Sequence, residues 1–158
     1  MSINVEFINP FIESLLNVLS TMARTEAKHE AISLKESPEA RGDITGMIGM
    51  IGNKVKGSLS ITFTQSVALD ICSKMLGEKF TEVDDSVVDL VGEITNMVTG
   101  GAKRILADQG HDFNMATPNV ITGLNHRIHH QCQGQIIQIP FKAESGKFYV
   151  EVSFEDVK

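Results

Sequence analysis

The stretch "DITGMIGMIGNKVKGSLSITFT", residues 43–64, decides the fold class. Leu59, Ile61 and Phe63 alternate along its second half and Asn53 sits between two extended runs, so it reads as two strands joined near Asn53. Its methionines fit strand packing as gap-fillers better than a Met-rich binding surface, because the alternation continues into the hairpin. Downstream, "QSVALDICSKMLGE" (65–78) reads as a short helix with Gly77 at its C-terminal cap. A long helix then begins between Asp84 and Ser86 in "DDSVVDLVGEITNMVTGGAKRILADQG" (84–110). Upstream, a helix is expected from Pro10 to Arg24, with Asn9 as cap and Phe11, Leu15, Val18, Leu19 and Met22 in helical period. After Gly110, "PNVITG", "HRIHHQCQG", "QIIQIPFKAE" and "KFYVEVSFE" read as strands separated by Gly-bearing turns. Helices interleaved with hairpins favour an α+β fold, helices on a mainly antiparallel sheet, over a doubly wound one.

A chain of 158 residues, 42% hydrophobic and 22% charged, fits one globular domain over residues 1–158. Its net charge of −6 argues against nucleic acid or an anionic membrane as partner, since both need clustered Lys and Arg. With one tyrosine, Tyr149, and no tryptophan, it also lacks an aromatic platform for bases. The N-terminus has no basic start followed by an unbroken apolar run, and no window approaches the ~18 apolar residues of a spanning helix, so a cytoplasmic chain is expected. Cys72 and Cys132 stand in unrelated contexts without a CxxC pattern, which fits reduced thiols rather than a disulfide or thiolate metal site.

A faint internal repeat is present. Setting Ser14 on Glu93 without gaps places Asn17 on Asn96, Leu15 on Ile94, Leu19 on Val98 and Ala23 on Ala102. "KGSLSITFT" (56–64) then resembles "SGKFYVEVSFE" (145–155), each at the end of its half. Such a repeat implies a pseudo-symmetric fold of two helix-plus-hairpin units.

On the long helix, Val87, Leu90, Val91, Ile94, Val98, Ala102 and Ile105 share one face at 100° per residue. Asp89, Glu93, Asn96, Gly100 and Lys103 cluster on the other. Glu93 and Asn96, three apart, can address one object together: a carboxylate that accepts or pairs with a cation, and a carboxamide that can hold a water in one orientation. No strong nucleophile accompanies them, so catalysis here would act by positioning. Gly100, a turn beyond Asn96, removes bulk where another protein could approach, at a helix cost of about 1 kcal/mol relative to Ala. By spacing alone, an ordinary solvated helix face is the better reading of such a pair, with the two glycines, Gly100 and Gly101, marking a bend or end of the helix.

"NHRIHHQC" (125–132) raises a metal reading. In a strand, His126, His130 and Cys132 would share one face with His129 opposite. Arg127 would oppose a cation and no carboxylates stand nearby, so a solvated or dimer-edge strand is the better reading and no metal is assigned to this chain.

The residues Asp89, Glu93, Asn96 and, after 21 intervening residues, Pro118 give this sequence a resemblance to the CheC/CheX/FliY family of response-regulator phosphatases. The opening "FINPFIESLLNVLSTMA" resembles the first helix of its CheX branch, and the family's duplicated architecture suits the repeat. The resemblance implies a CheC-like pseudo-symmetric duplication with two long helices on an antiparallel sheet. It implies one active site per chain, because the first helix offers Ser14 and Asn17 in place of the acid–carboxamide pair. The activity implied is hydrolysis of the aspartyl phosphate of a phosphorylated CheY-type response regulator in chemotaxis. Asn96 would orient the attacking water and Glu93 would engage the partner's lysine. Asp89, Gly100 and Lys103 would meet the partner, and Pro118 would be structural. No cofactor is bound by the chain itself, Mg²⁺ belonging to the regulator, and a homodimer is expected. The competing class is a non-catalytic module that binds a regulator or flagellar component; the intact Glu93/Asn96 pair favours the enzyme.

Overall fold

The computed structural model describes residues 5–124, 126–130 and 132–156, with side chains from Phe7 onward. In chain order the elements are α1 (Val5–Ala23), β1 (Ala27–His29), β2 (Ser33–Leu34), β3 (Ile44–Gly52), β4 (Val55–Phe63), α2 (Gln65–Leu76), α3 (Asp85–Asp108), β5 (Phe113–Met115), β6 (Asn119–Thr122), β7 (Ile136–Ala143) and β8 (Gly146–Asp156). The hairpins β3–β4 and β7–β8 lie side by side through an antiparallel β4–β8 pairing, with Leu59 opposite Val152 near its middle. Each half then supplies the other's edge. β1 and β2, which follow α1, pair with β7, while β5 and β6, which follow α3, pair with β3. All pairings are antiparallel, and the expected α+β architecture of long helices on one sheet holds, with the shorter α2 as a third helix.

Register sorts the two faces. Rows such as Ile48–Leu59–Val152–Ile137 and Ile44–Phe63–Phe148–Phe141 point to the helices and are buried. Burying side chains of this kind stabilises by about 1.5–3 kcal/mol each. The opposite face is polar, as in the row Met47–Ser60–Glu151–Gln138. Two chain segments cover it. They join through Ala40 N–H to His126 O (2.9 Å) and Ile128 N–H to Pro38 O (2.8 Å), and only an isolated bridge, Glu39 with Arg127, marks them as extended.

The expected strand over 126–134 is therefore absent from its described residues; Gln131, within it, lies outside them. The polar side chains there have better partners below. His130 Nδ1 lies 2.7 Å from Ser58 Oγ and its Nε2 3.1 Å from Glu151 Oε1, and Lys35 Nζ donates to Glu151 Oε2 at 2.6 Å. His126 instead meets Thr45 and the Gly123 carbonyl, so His126 and His130 do not converge. Among the described residues no three His, Cys, Asp or Glu side chains are grouped to hold a metal.

α1 begins at Val5, not at Pro10, which lies inside the helix. An internal proline forfeits a backbone hydrogen bond. The offsetting gain is the extra turn, which buries Phe7 and Ile8; the Phe7 ring lies 5.0 Å from that of Phe154 and 6.4 Å from that of Phe113. α2 ends as expected at Gly77, whose left-handed backbone (φ 68°) suits glycine. Asp84 caps α3 by accepting from Val87 N–H at 3.0 Å.

α3 is buried more broadly than its apolar stripe. Thr95 and Thr99 are fully buried, their hydroxyls donating to Val91 O and Thr95 O at 2.8 Å. Leu106 is buried where Ile105 is only half-covered. The helix packs on both β3 and α1, so two of its sides are covered. Against α1, Gly101 faces Ser14, whose hydroxyl donates to Val98 O at 2.7 Å. A Cβ at Gly101 would overlap Ser14 Oγ. Gly101→Val is therefore expected to destabilise the protein by about 1–3 kcal/mol through overpacking, read as a lower urea midpoint with an unchanged slope.

Burial also corrects the phase of the repeat. Ser14 is buried and Glu93 exposed, so they do not occupy equivalent places. The burial patterns of Phe11–Leu19 and Val91–Thr99 agree when Glu13 falls on Glu93, Leu16 on Asn96 and Ile12 on Gly92, except that Asn17 is exposed where Met97 is half-buried. The first helix thus keeps an acid and lacks the carboxamide, the reverse of the expectation from sequence.

Candidate functional site

Glu93 and Asn96 stand one turn apart on the outward side of α3, Glu93 exposed and Asn96 half-buried. Their spacing puts both on one surface, and the wall they face is built by an irregularity in the neighbouring edge. Met115 pairs with Met50 and Asn119 with Met47, so Ala116, Thr117 and Pro118 stand opposite only Ile48 and Gly49. This extra residue is a β-bulge, which bends the strand, and Pro118 is tolerated there because a bulge leaves backbone groups outside the ladder. Ala116 N–H still reaches Gly49 O at 2.9 Å, anchoring the start of the bulge.

Between α3 and this bulge runs a groove of about 620 Å³, lined on the helix side by Val88, Asp89, Gly92, Glu93 and Asn96, and on the strand side by residues 116–120. Four residues singled out from sequence, Asp89, Glu93, Asn96 and Pro118, are thus brought together. Gly100 and Lys103 lie further along α3 and do not line the groove. A Cβ at Gly100 would meet nothing within 4 Å, so internal packing makes no demand for glycine there. Sequence reasoning missed Gly92, Thr117, Asn119 and Val120. Gly92 had a visible signal, a glycine inside an otherwise good helix; the other three depend on the bulge.

The same bulge recurs in the first half. His29 pairs with Phe141 and Ser33 with Gln138, leaving residues 30–32 opposite residues 139 and 140, and Glu30 N–H reaches Pro140 O at 2.8 Å. Ile32 there takes the place of Pro118. With Leu16 in place of Asn96, the α1 side lacks the acid–carboxamide pair that lines the α3 groove.

The groove offers an acceptor, a bifunctional amide and open space, which suit the alignment of a water and a partner's charged group. Thiol chemistry belongs elsewhere. Burial pushes the Cys72 thiol up to about 11, and burial followed by the Glu155 charge also raises Cys132, so neither presents a thiolate at neutral pH.

Interlocked helix-and-hairpin halves with this groove mark the chain as CheC-like. It is similar over 97% of its length, at 55% identity and a TM-score of 0.91, to a CheC-like superfamily protein from Shewanella sp. PV-4, covering 99% of that chain. The chain belongs to the chemotaxis phosphatase CheX family, whose model matches residues 44–142. It is also 24% identical over 143 residues, 90% of each protein, to the CheY-P phosphatase CheX of Thermotoga maritima. It shares the fold of CheX in a CheX–CheY–BeF3–Mg²⁺ complex from Borrelia burgdorferi, with a TM-score of 0.80 at 23% identity, over 96% of this chain and 99% of that one.

Proposed function

We propose that this chain is a single-domain phosphatase that hydrolyses the aspartyl phosphate of a phosphorylated CheY-type response regulator. The observation that carries the reading is the Glu93/Asn96 pair facing the Pro118 bulge across an open groove, in a chain of the CheX family. The Thermotoga relative's name, CheY-P phosphatase, and the Borrelia CheX–CheY complex support CheY as the partner class.

The Asn96 carboxamide holds a water through one donor and one acceptor contact, in line with phosphorus. The water oxygen forms the new P–O bond as the acyl P–O bond breaks, releasing inorganic phosphate and the regulator's aspartate. The leaving carboxylate is a weak base, so alignment and charge stabilisation carry more of the rate than covalent help. Glu93, exposed at the groove's rim, pairs with the regulator's active-site lysine and fixes how the two proteins meet. Asp89 extends that acidic rim, while Gly100 and Lys103 continue the docking face along α3. The regulator's own residues would hold Mg²⁺, which offsets phosphoryl charge. The setting is the cytoplasm, where chemotaxis regulators act. Among the described residues no helix is long and apolar enough to cross a membrane. Pairing of two chains through sheet edges would give the expected homodimer.

Glu93→Ala removes one partner of an intermolecular charge pair and is expected to lower kcat/KM for a phosphorylated receiver at least tenfold, with weakened binding as the main cause. Dephosphorylation rates across receiver concentrations, beside a binding titration, check this. An unchanged kcat/KM would remove Glu93 from the site.

A further inference from the structure

We infer that Gly92 sets the depth of the phosphatase groove: by carrying no side chain between α3 and the Val120 strand, it leaves room for the receiver's phosphorylated loop to descend to Asn96. The inference rests on the phosphatase reading above. Gly92 lies in the interior of a 24-residue helix, where glycine is unfavourable relative to alanine. The glycines at the contacts of α3 with β3 and with α1 have a packing reason. A Cβ at Gly46 would overlap Thr95, and one at Gly101 would overlap Ser14. At Gly92 a Cβ would meet only Val120 Cγ2, at 3.4 Å, an ordinary contact. The fold therefore accepts a Cβ here.

The first half of the molecule supplies the internal comparison. Its helix presents nearly the same burial pattern beside the same three-against-two bulge, yet the position equivalent to Gly92 is Ile12. Ile12 is half-buried and packs against the core. The architecture thus fills this place with a β-branched side chain in the half that lacks the acid–carboxamide pair, and leaves it empty in the half that has it. Gly92 follows Asp89 by three residues and precedes Asn96 by four, so it shares their stripe of the helix. A side chain there would project into the groove beneath Asn96 and hold the receiver away from the amide.

The test is steady-state dephosphorylation of a phosphorylated CheY-type receiver by wild type, Gly92→Ala and Gly92→Ile, with thermal unfolding of each. Gly92→Ala is expected to unfold at the same temperature or roughly 2–4 °C higher, because it gains helix propensity, while kcat/KM falls three- to tenfold. Gly92→Ile should lose at least 100-fold, mostly in kcat at saturating receiver, because misplacement by about 1 Å is enough for losses of that order. Greater or equal stability with lower kcat separates groove depth from a structural role. Variants with wild-type kcat, or variants whose activity falls only in step with lost stability, would overturn the inference while leaving the phosphatase reading standing. A wild type inactive toward every receiver of its own cell would overturn both.

Discussion

Asn96→Ala is expected to slow receiver dephosphorylation by roughly 10²-fold or more, about 3 kcal/mol of barrier, with little change in receiver affinity. The amide's proposed contact is with the attacking water, which becomes a reacting group only at the transition state. Removing it therefore lowers kcat more than it raises KM. Asn96 is half-buried on the groove side, away from the apolar contacts of α3, and substitutions at such places usually stay within about 0.5 kcal/mol of wild-type stability. Circular dichroism and the urea midpoint should accordingly be retained. Asn96→Asp keeps the shape but loses the donor and adds a charge facing the phosphoryl group; it is expected to be at least as slow. A variant with a full-length binding curve and a lost rate is the pattern to look for.

Glu151→Ala is the substitution with the largest expected effect on stability. The Glu151 carboxylate sits on the polar face of the sheet, 1% exposed, and accepts from Lys35 Nζ at 2.6 Å. The His130 ring, also 1% exposed, lies 3.1 Å from its other oxygen. Removing the carboxylate leaves the Lys35 ammonium, only 6% exposed, buried without its counter-charge. Breaking a buried pair from one side costs about 3–5 kcal/mol, a large part of the ~5–15 kcal/mol that holds a domain folded. At a urea slope of ~2 kcal/mol/M this lowers the midpoint by roughly 1.5–2.5 M. Replacing both partners, Lys35→Met with Glu151→Leu, should recover much of the loss, since a well-packed apolar pair has no desolvation cost. The groove lies on the helix side of the sheet, so whatever fraction of Glu151→Ala remains folded should keep its rate per folded molecule.

These two positions mark what was and was not legible in the sequence. Glu93 and Asn96 were readable because helical spacing is local: three residues on one helix fix a shared surface whatever the rest of the chain does. The central hairpins were readable for the same reason, since alternation in 44–63 and 136–156 is a property of each strand. Glu151 alternates with Val150 and Val152 and could be placed on the polar face, but nothing local says that the face is covered. Its burial depends on Lys35 and His130, which lie 116 and 21 residues away in sequence.

The same distinction explains the errors. β1, β2 and β5 are two or three residues long and exist because the opposite half offers an edge to pair with, so their own composition carries no signal. The histidine-rich segment alternates well enough to suggest a strand. Its side chains instead bond to the sheet beneath, which holds the segment across the face rather than along an edge. The repeat was recognisable but one residue out of phase, because matching Asn17 to Asn96 rewards identity of residue type. Burial pairs Leu16 with Asn96 instead. The apolar stripe on α3 is narrower than its buried face because Thr95 and Thr99 count as polar, although each satisfies its hydroxyl on the preceding turn and packs inward. Pro118 was legible only through a family resemblance; the bulge that explains it appears once β5 and β6 are in register with β3.

The most direct test of the account is the loss of phosphate from a phosphorylated CheY-type receiver from the same cell, followed with and without this protein and with Asn96→Ala beside it. The expected result is that wild type accelerates the loss severalfold or more over the receiver's own rate and that the folded Asn96→Ala protein does not. A receiver whose phosphate lifetime is the same in all three would contradict it, and binding without acceleration would make the chain an interaction module rather than an enzyme.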